Sequence, residues 1–373
     1  LDQQDSPSPQ GGGKDCARFD NSTYVGGACM TPTSQRRTIP RNVMFAAGVV
    51  VVIVLALSSI AYGSTLIPMP DVLNALAHAA GLTDLTTTAP IERIVIDLRL
   101  PRVILALCVG AGLGVIGALL QTVTRNDLAD PFLFGLSSGA AAGAVSVISI
   151  FGDRFGIWTL PMAAFSGGML AAIIVLLLVR RVQGQGPERL ILAGLAVSFL
   201  FAALTNYMVF LGDQRAAHSV LFWTLGGLGL ARWDNVPLAV LGLFAILIHA
   251  LYSHRNLDAF LAGESTAESL GVKVGRTRST VFIVCAFSTA IFVSVAGVIG
   301  FVGLMIPHIA RRVAGQLHAS LIVTCAVLGA MLILLSDLAA RLLLAPQELP
   351  IGIVTSSVGA FFVVTTLLRK RSA

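Results

Sequence analysis

Asp337 and Arg341 are the ionisable residues that fall inside an apolar run of this sequence, four positions apart on one helix face near its outer end, where each can neutralise the other. A charge at mid-bilayer is costly, so an ion-driven transporter would carry isolated Asp, Glu or Lys in its span interiors, and this sequence has none. His308 closes the stretch Gly297–His308 and has two readings, a proton-relay residue or an interfacial side chain. The three lysines, Lys14, Lys273 and Lys370, belong to no GxxxxGK[ST] phosphate loop, so the chain does not hydrolyse ATP itself. No hydrolase elbow, HExxH or paired metal-ligand spacing occurs, and no metal site is expected. Cys16, Cys29, Cys108, Cys285 and Cys325 form no CxxC, and the last three lie in apolar runs as small hydrophobes.

The elements that must hold these residues are set by composition. Of 373 residues 55% are apolar and 12% charged, and mean hydropathy is +0.85. A soluble domain needs roughly 25% charge for its solvated face, so a water-soluble enzyme or nucleic-acid-binding domain is excluded. Apolar runs long enough to cross a bilayer occupy about 43–62, 100–121, 134–151, 156–180, 190–211, 235–252, 279–299, 319–341 and 351–368. A tenth, Phe301 to Ala310, is too short to span alone and is read as a helix returning from the seventh run, closed by Arg311 and Arg312. The expectation is an all-α polytopic membrane protein of about ten transmembrane helices. With alternating passes and a cytoplasmic N-terminus, eighteen Lys and Arg lie inside against seven outside, Arg93, Arg99, Arg102, Arg154, Arg215, Arg232 and Arg341. The +6 net charge is therefore mainly a topology signal and needs no nucleic-acid partner.

Residues 1–29 are polar and Gly/Pro/Ser-rich and read as a disordered tail, with Met30 as the natural start, 30–42 as a basic cytoplasmic N-terminus and 43–373 as the transmembrane domain. Gly110, Gly112, Gly114 and Gly117, with Gly135, Gly139 and Gly143, give small-residue faces for close helix packing. Gly297 to Gly300 repeats the tetrapeptide Gly114 to Gly117, a weak trace of an internal repeat. The polar cluster Arg125 to Pro131 reads as a turn or a short interfacial helix. In the long cytoplasmic loop 253–278, Gly263-Glu264-Ser265-Thr266-Ala267-Glu268-Ser269-Leu270-Gly271 reads as a short amphipathic helix with acidic residues at its start. It is either a solvated loop helix or a docking helix.

From about Arg99 to Arg369 the sequence resembles the FecCD family, the permease subunits of type II ABC importers for iron-siderophores, haem and vitamin B12. The carriers are Arg99-Leu100-Pro101-Arg102, Gly117-Ala118-Leu119-Leu120-Gln121, Arg125-Asn126 with Leu128-Ala129-Asp130-Pro131, Gly135-Leu136-Ser137-Ser138-Gly139-Ala140 and Leu192-Ala193-Gly194. They continue with Trp223-Thr224-Leu225-Gly226-Gly227, the Gly263–Gly271 loop, Gly300-Phe301-Val302-Gly303-Leu304 with Pro307-His308, and Glu348-Leu349-Pro350-Ile351-Gly352.

The resemblance implies a bacterial inner-membrane permease with both termini cytoplasmic. It also implies a second permease subunit, identical or related, two cytoplasmic ATPase subunits that hold the ATP and Mg, and a periplasmic or lipid-anchored substrate-binding protein. The chain itself would need no cofactor. By the same resemblance Gly263–Gly271 is the coupling helix, Arg99, Arg102 and Arg341 meet acidic residues of the binding protein, and Asn126 and Leu128 lie near the cytoplasmic gate. The expected cargo is a ferric siderophore or haem, with cobalamin as the alternative. The reading from another class is an ion-coupled secondary transporter. Three departures from the family stand out: Asp127 and Phe361 each replace a usual Pro, and 183–188 lacks small hydroxyl residues.

Overall fold

The computed structural model describes residues 41–63, 65–82, 88–151, 156–181 and 188–370. The expected tail 1–29, the proposed start at Met30 and most of the 183–188 loop lie outside the described residues. The described residues are helical with connecting turns. In chain order the helices are α1 Arg41–Ala61, α2 Met69–Ala79, α3 Ala89–Arg93, α4 Leu100–Thr124, α5 Leu136–Ser146, α6 Thr159–Arg181 and α7 Glu188–Leu211. They continue with α8 Gln214–Thr224, α9 Val236–Leu261, α10 Glu264–Ser269, α11 Val274–Ala296, α12 Val302–Ala314, α13 His318–Leu342 and α14 Ile351–Lys370. Seven are long and apolar enough to cross a membrane, and Leu136–Ile150 and Ile351–Thr366 are shorter apolar helices. With α12 these account for the ten expected segments.

The organising element is α4. Joined through a π-helical segment, Ile94–Arg99, to α3, it forms a continuous apolar helix of 36 residues whose most apolar window is 89% buried, against 11% for α1. Pro101 follows the π-helical segment directly, so its missing N–H falls where the regular i→i−4 ladder is already interrupted. Around it pack α9, α11, α12 and α13. Its glycines set the approach: a Cβ on Gly110 would overlap the Gly329 carbonyl of α13, and one on Gly117 the Gly303 carbonyl of α12. Such backbone contact replaces the hydrophobic drive that lipid cannot supply between helices.

Several boundaries differ from the expectation. The run expected at 235–252 continues to Leu261, because Leu257 and Phe260 bury on the helix face that Ser253 already occupies. The loop expected at 253–278 therefore shrinks to its middle, since 274–278 belongs to α11. The short helices α2, α3 and α8 were not anticipated. The two ends of the bundle are named below by α2 and by α10.

Candidate functional site

At the α10 end, the last four carbonyls of α4 have no partner within the helix, and its last turn is tied outward in three directions. Gln121 donates from Nε2 to the Gly303 carbonyl of α12 (3.1 Å) and accepts at Oε1 from Arg311 Nη1 (2.7 Å). Thr122 Oγ1 lies 2.8 Å from His318 Nε2, and His318 Nδ1 lies 2.7 Å from Asp258 Oδ1, joining α4 to α13 and α9. The Val123 carbonyl accepts from Arg278 Nε (3.0 Å), whose Nη2 donates to Glu264 Oε1 (2.7 Å) at the start of α10. Asp258 as acceptor assigns the imidazole proton to Nδ1 and leaves Nε2 to accept from Thr122. Thr122, His318 and Asp258 have the connectivity of a hydrolytic triad, but both the hydroxyl and the imidazole are buried, so the chain of bonds is a strut between helices.

The turn after α4 carries the expected gate residues. Arg125 adopts φ 48°, the Asn126 N–H closes back on the Gln121 carbonyl (3.2 Å), and Asn126 Oδ1 accepts from the Leu128 N–H (2.9 Å). This side-chain turn presents Leu128 at 59% exposure. Asp127, the departure from the family pattern, is exposed and lies 3.3 Å from Arg311 Nη1. Asp130 is buried and caps the 3-10 turn Pro131–Phe134 by accepting from the Phe132 N–H (3.0 Å). Burial pushes its carboxyl up to about 6, partly offset by the Phe132 and Leu304 N–H groups.

Within the expected coupling segment the helix proper is Glu264–Ser269, bracketed by Gly263 at φ 103° and Gly271 at φ 84°. These left-handed values favour glycine. Ala267 alone of the segment is buried, packed with Phe260 and Val274. Glu264 turns inward to Arg278, while Ser265, Thr266, Glu268, Ser269 and Leu270 are exposed, Leu270 at 69%. An exposed leucine among hydroxyls and an acid gives this end a small outward contact face.

At the α2 end the three arginines expected to meet the binding protein differ in exposure and in partners. Arg99 and Arg341 are 7% and 4% exposed, not at the surface. Arg99 donates to the Ile60, Ala61 and Thr65 carbonyls, and Arg341 to those of Ser59 and Tyr62. The physical reason is the C-terminus of α1: its last carbonyls need donors, and the negative end of its dipole draws cations. Arg341 also pairs with Asp337 (2.9 Å), as their spacing predicted. Arg102 is mostly buried, its side chain 14% exposed, and bridges buried Asp337 (2.8 Å) and more exposed Glu348 (2.9 Å). Beside Glu348 opens a cavity of about 870 Å³, with Trp158, Phe222, Trp223, Arg232 and Asp234 among its lining.

Arg278 and Arg311 enter the sequence reading only as charges, and Asp258 and His318 not at all. The available signals were weak: a lone His at the first position of an apolar run, and an Arg just inside the next helix.

Comparisons with known proteins agree with this architecture. The profile of the FecCD transport family matches residues 50–369. The iron(3+)-hydroxamate import system permease protein of Bacillus subtilis is 35% identical over 288 residues, 76% of this chain and 85% of that protein. The vitamin B12 import system permease protein of Salmonella typhi is 34% identical over 279 residues, 75% of this chain and 85% of that protein. An inward-facing ABC transporter structure of metal-chelate type superposes with a TM-score of 0.74 at 28% identity, over 88% of this chain and 99% of that one. A permease subunit of this kind is not itself an ATPase, carries no cofactor and works with ATPase and binding-protein partners. This multi-pass membrane chain belongs to the FecCD transport family of ABC importer permeases.

Proposed function

We propose that the chain is the membrane path of an ATP-driven importer for a ferric siderophore, set in a bacterial cytoplasmic membrane with its α10 end and both termini in the cytoplasm. It pairs with a second permease subunit, and two ATPase subunits seat the outward faces of the two α10 helices. The observation that carries the coupling assignment is the geometry of α10: a short helix between two left-handed glycines, outward-facing except at Ala267 and Glu264, and bound through Glu264 and Arg278 to the helix that ends at the gate residues. A displacement of α10 by ATP-driven closure of its partners then biases the turn carrying Asn126 and Leu128.

At the other end, the cavity beside Glu348 is wide and mixes aromatic with charged walls, which suits a bulky, partly apolar chelate. Binding-protein docking falls to Arg102 with exposed Arg93 and Arg232, while Arg99 and Arg341 support them from below. Acidic residues of the binding protein would meet this surface, with a salt-dependent on-rate. Cobalamin is the second reading, because the B12 and hydroxamate permeases are almost equally similar to this chain, at 34% and 35% identity.

The test is uptake into proteoliposomes holding the permease, its ATPase subunits and its binding protein, offered a ferric hydroxamate, haem or cobalamin. ATP-dependent uptake of the hydroxamate supports the proposal, and uptake of cobalamin alone replaces the cargo. Uptake without ATPase subunits overturns the mechanism. The variant Glu264→Lys with Glu268→Lys is expected to abolish uptake while leaving membrane insertion intact.

A further inference from the structure

We propose that Arg278 is the residue through which movement of α10 reaches the gate, a two-headed strap between the coupling helix and the last turn of α4. The inference rests on the coupling reading of α10 and adds the positioning residue that makes it work. Arg278 holds Glu264 by Nη2 at 2.7 Å and the Val123 carbonyl by Nε at 3.0 Å. Both donors belong to one planar guanidinium, so the two acceptors are held at a fixed separation rather than joined by a flexible linker. The Arg278 side chain is 15% exposed and that of Glu264 27%, so water competes weakly for either bond.

The arrangement around the strap gives it a direction. On one side, α10 rests on a single buried alanine and is flanked by glycines at φ 103° and 84°, so it can tilt as a small body. On the other side, Val123 lies three residues before Asn126 and five before Leu128. The neighbouring attachments of the same turn, Gln121 to α12 and Thr122 to His318 of α13, lead away from α10. Among the described residues, the Arg278 bonds join α10 to α4, and a pull on Glu264 is delivered at the root of the gate turn.

The chemistry separates this strap from a plain ion pair. Lysine keeps the charge but has one compact head, and a carboxylate cannot donate to a carbonyl. Arg278→Lys should therefore keep α10 folded yet loosen the tie to Val123. The exchange of Glu264→Arg with Arg278→Glu should restore the ion pair but not the bond to Val123.

The experiment uses the assembled permease and its ATPase subunits, with Cys16 and Cys29 replaced by serine and Leu128→Cys as the reporter. Its rate of labelling by a charged maleimide is read with and without ATP. The parent should show a nucleotide-dependent rate. In Arg278→Lys that dependence should fall by about tenfold, the scale of one lost charge-assisted hydrogen bond, with the ATPase subunits still co-purifying. The exchange variant should remain unresponsive. A parental response in Arg278→Lys, or its recovery in the exchange variant, would overturn the strap. Failure of the underlying coupling reading looks different: the outward-face variant Glu268→Lys with Leu270→Lys would then still co-purify the ATPase subunits.

Discussion

The two ends of the long central helix use the same bond for opposite purposes. At the α2 end, Arg99 and Arg341 donate to the last carbonyls of α1, and Arg341 and Arg102 share Asp337. At the α10 end, Arg278 likewise donates to a last-turn carbonyl, that of Val123, and pairs with a carboxylate, Glu264. The difference lies in where the acid sits. Asp337 is buried in a 25-residue helix wedged against α4, whereas Glu264 belongs to a six-residue surface helix between two glycines. An arginine on a helix end locks the fold when its second partner is in the core, and transmits movement when that partner is free to tilt.

The comparison breaks most visibly at Asp337. Asp337→Asn leaves Arg102 and Arg341 short of a buried counter-charge and should cost about 3–5 kcal/mol, read as a lower thermal midpoint of the purified protein, with α10 still able to bind its ATPase partner. A smaller effect of opposite sign is expected at Asp130, whose carboxyl is raised from its ordinary value of 3.8 to about 6. A raised folded value stabilises below about pH 4 and loses that contribution as pH rises through about 6. Asp130→Asn keeps the acceptor for the Phe132 N–H, so above pH 7 it should be more stable than the parent by about 3 kcal/mol, and the gap should close in acid. Thr122→Val removes a hydroxyl from His318 and should cost about 1 kcal/mol in the same melting assay. Glu268→Lys, fully outward, should change stability by less than about 0.5 kcal/mol and yet weaken ATPase co-purification, which separates contact from scaffold at the α10 end.

Much of this was legible in the sequence because lipid imposes simple rules. The long apolar runs, the i, i+4 pair of Asp337 and Arg341, and the close-packing glycines all follow from the cost of polar groups in hydrocarbon. The short helices α2, α3 and α8 were not legible, since helices of five to eleven residues look like loops to a search for spans. The last turns of α9 were missed because His254, Arg255 and Asp258 interrupt the apolar run, although Leu257 and Phe260 keep the buried face going. The arginines show the deeper limit. Charge assigns a residue to one side of the membrane, but whether its guanidinium faces a partner protein or caps a helix depends on a carbonyl supplied by another helix. Arg99 meets α1 only in three dimensions, as Arg278 meets α4.

In the strap proposal, nucleotide moves the α10 end of α4 and leaves the α2 end in place. Maleimide labelling of Leu128→Cys and, separately, of Leu343→Cys beside the buried arginine cluster tests it in the assembled transporter. On adding ATP the labelling rate should change about tenfold at residue 128 and stay unchanged at residue 343. Equal changes at both positions, or a change confined to residue 343, would contradict it.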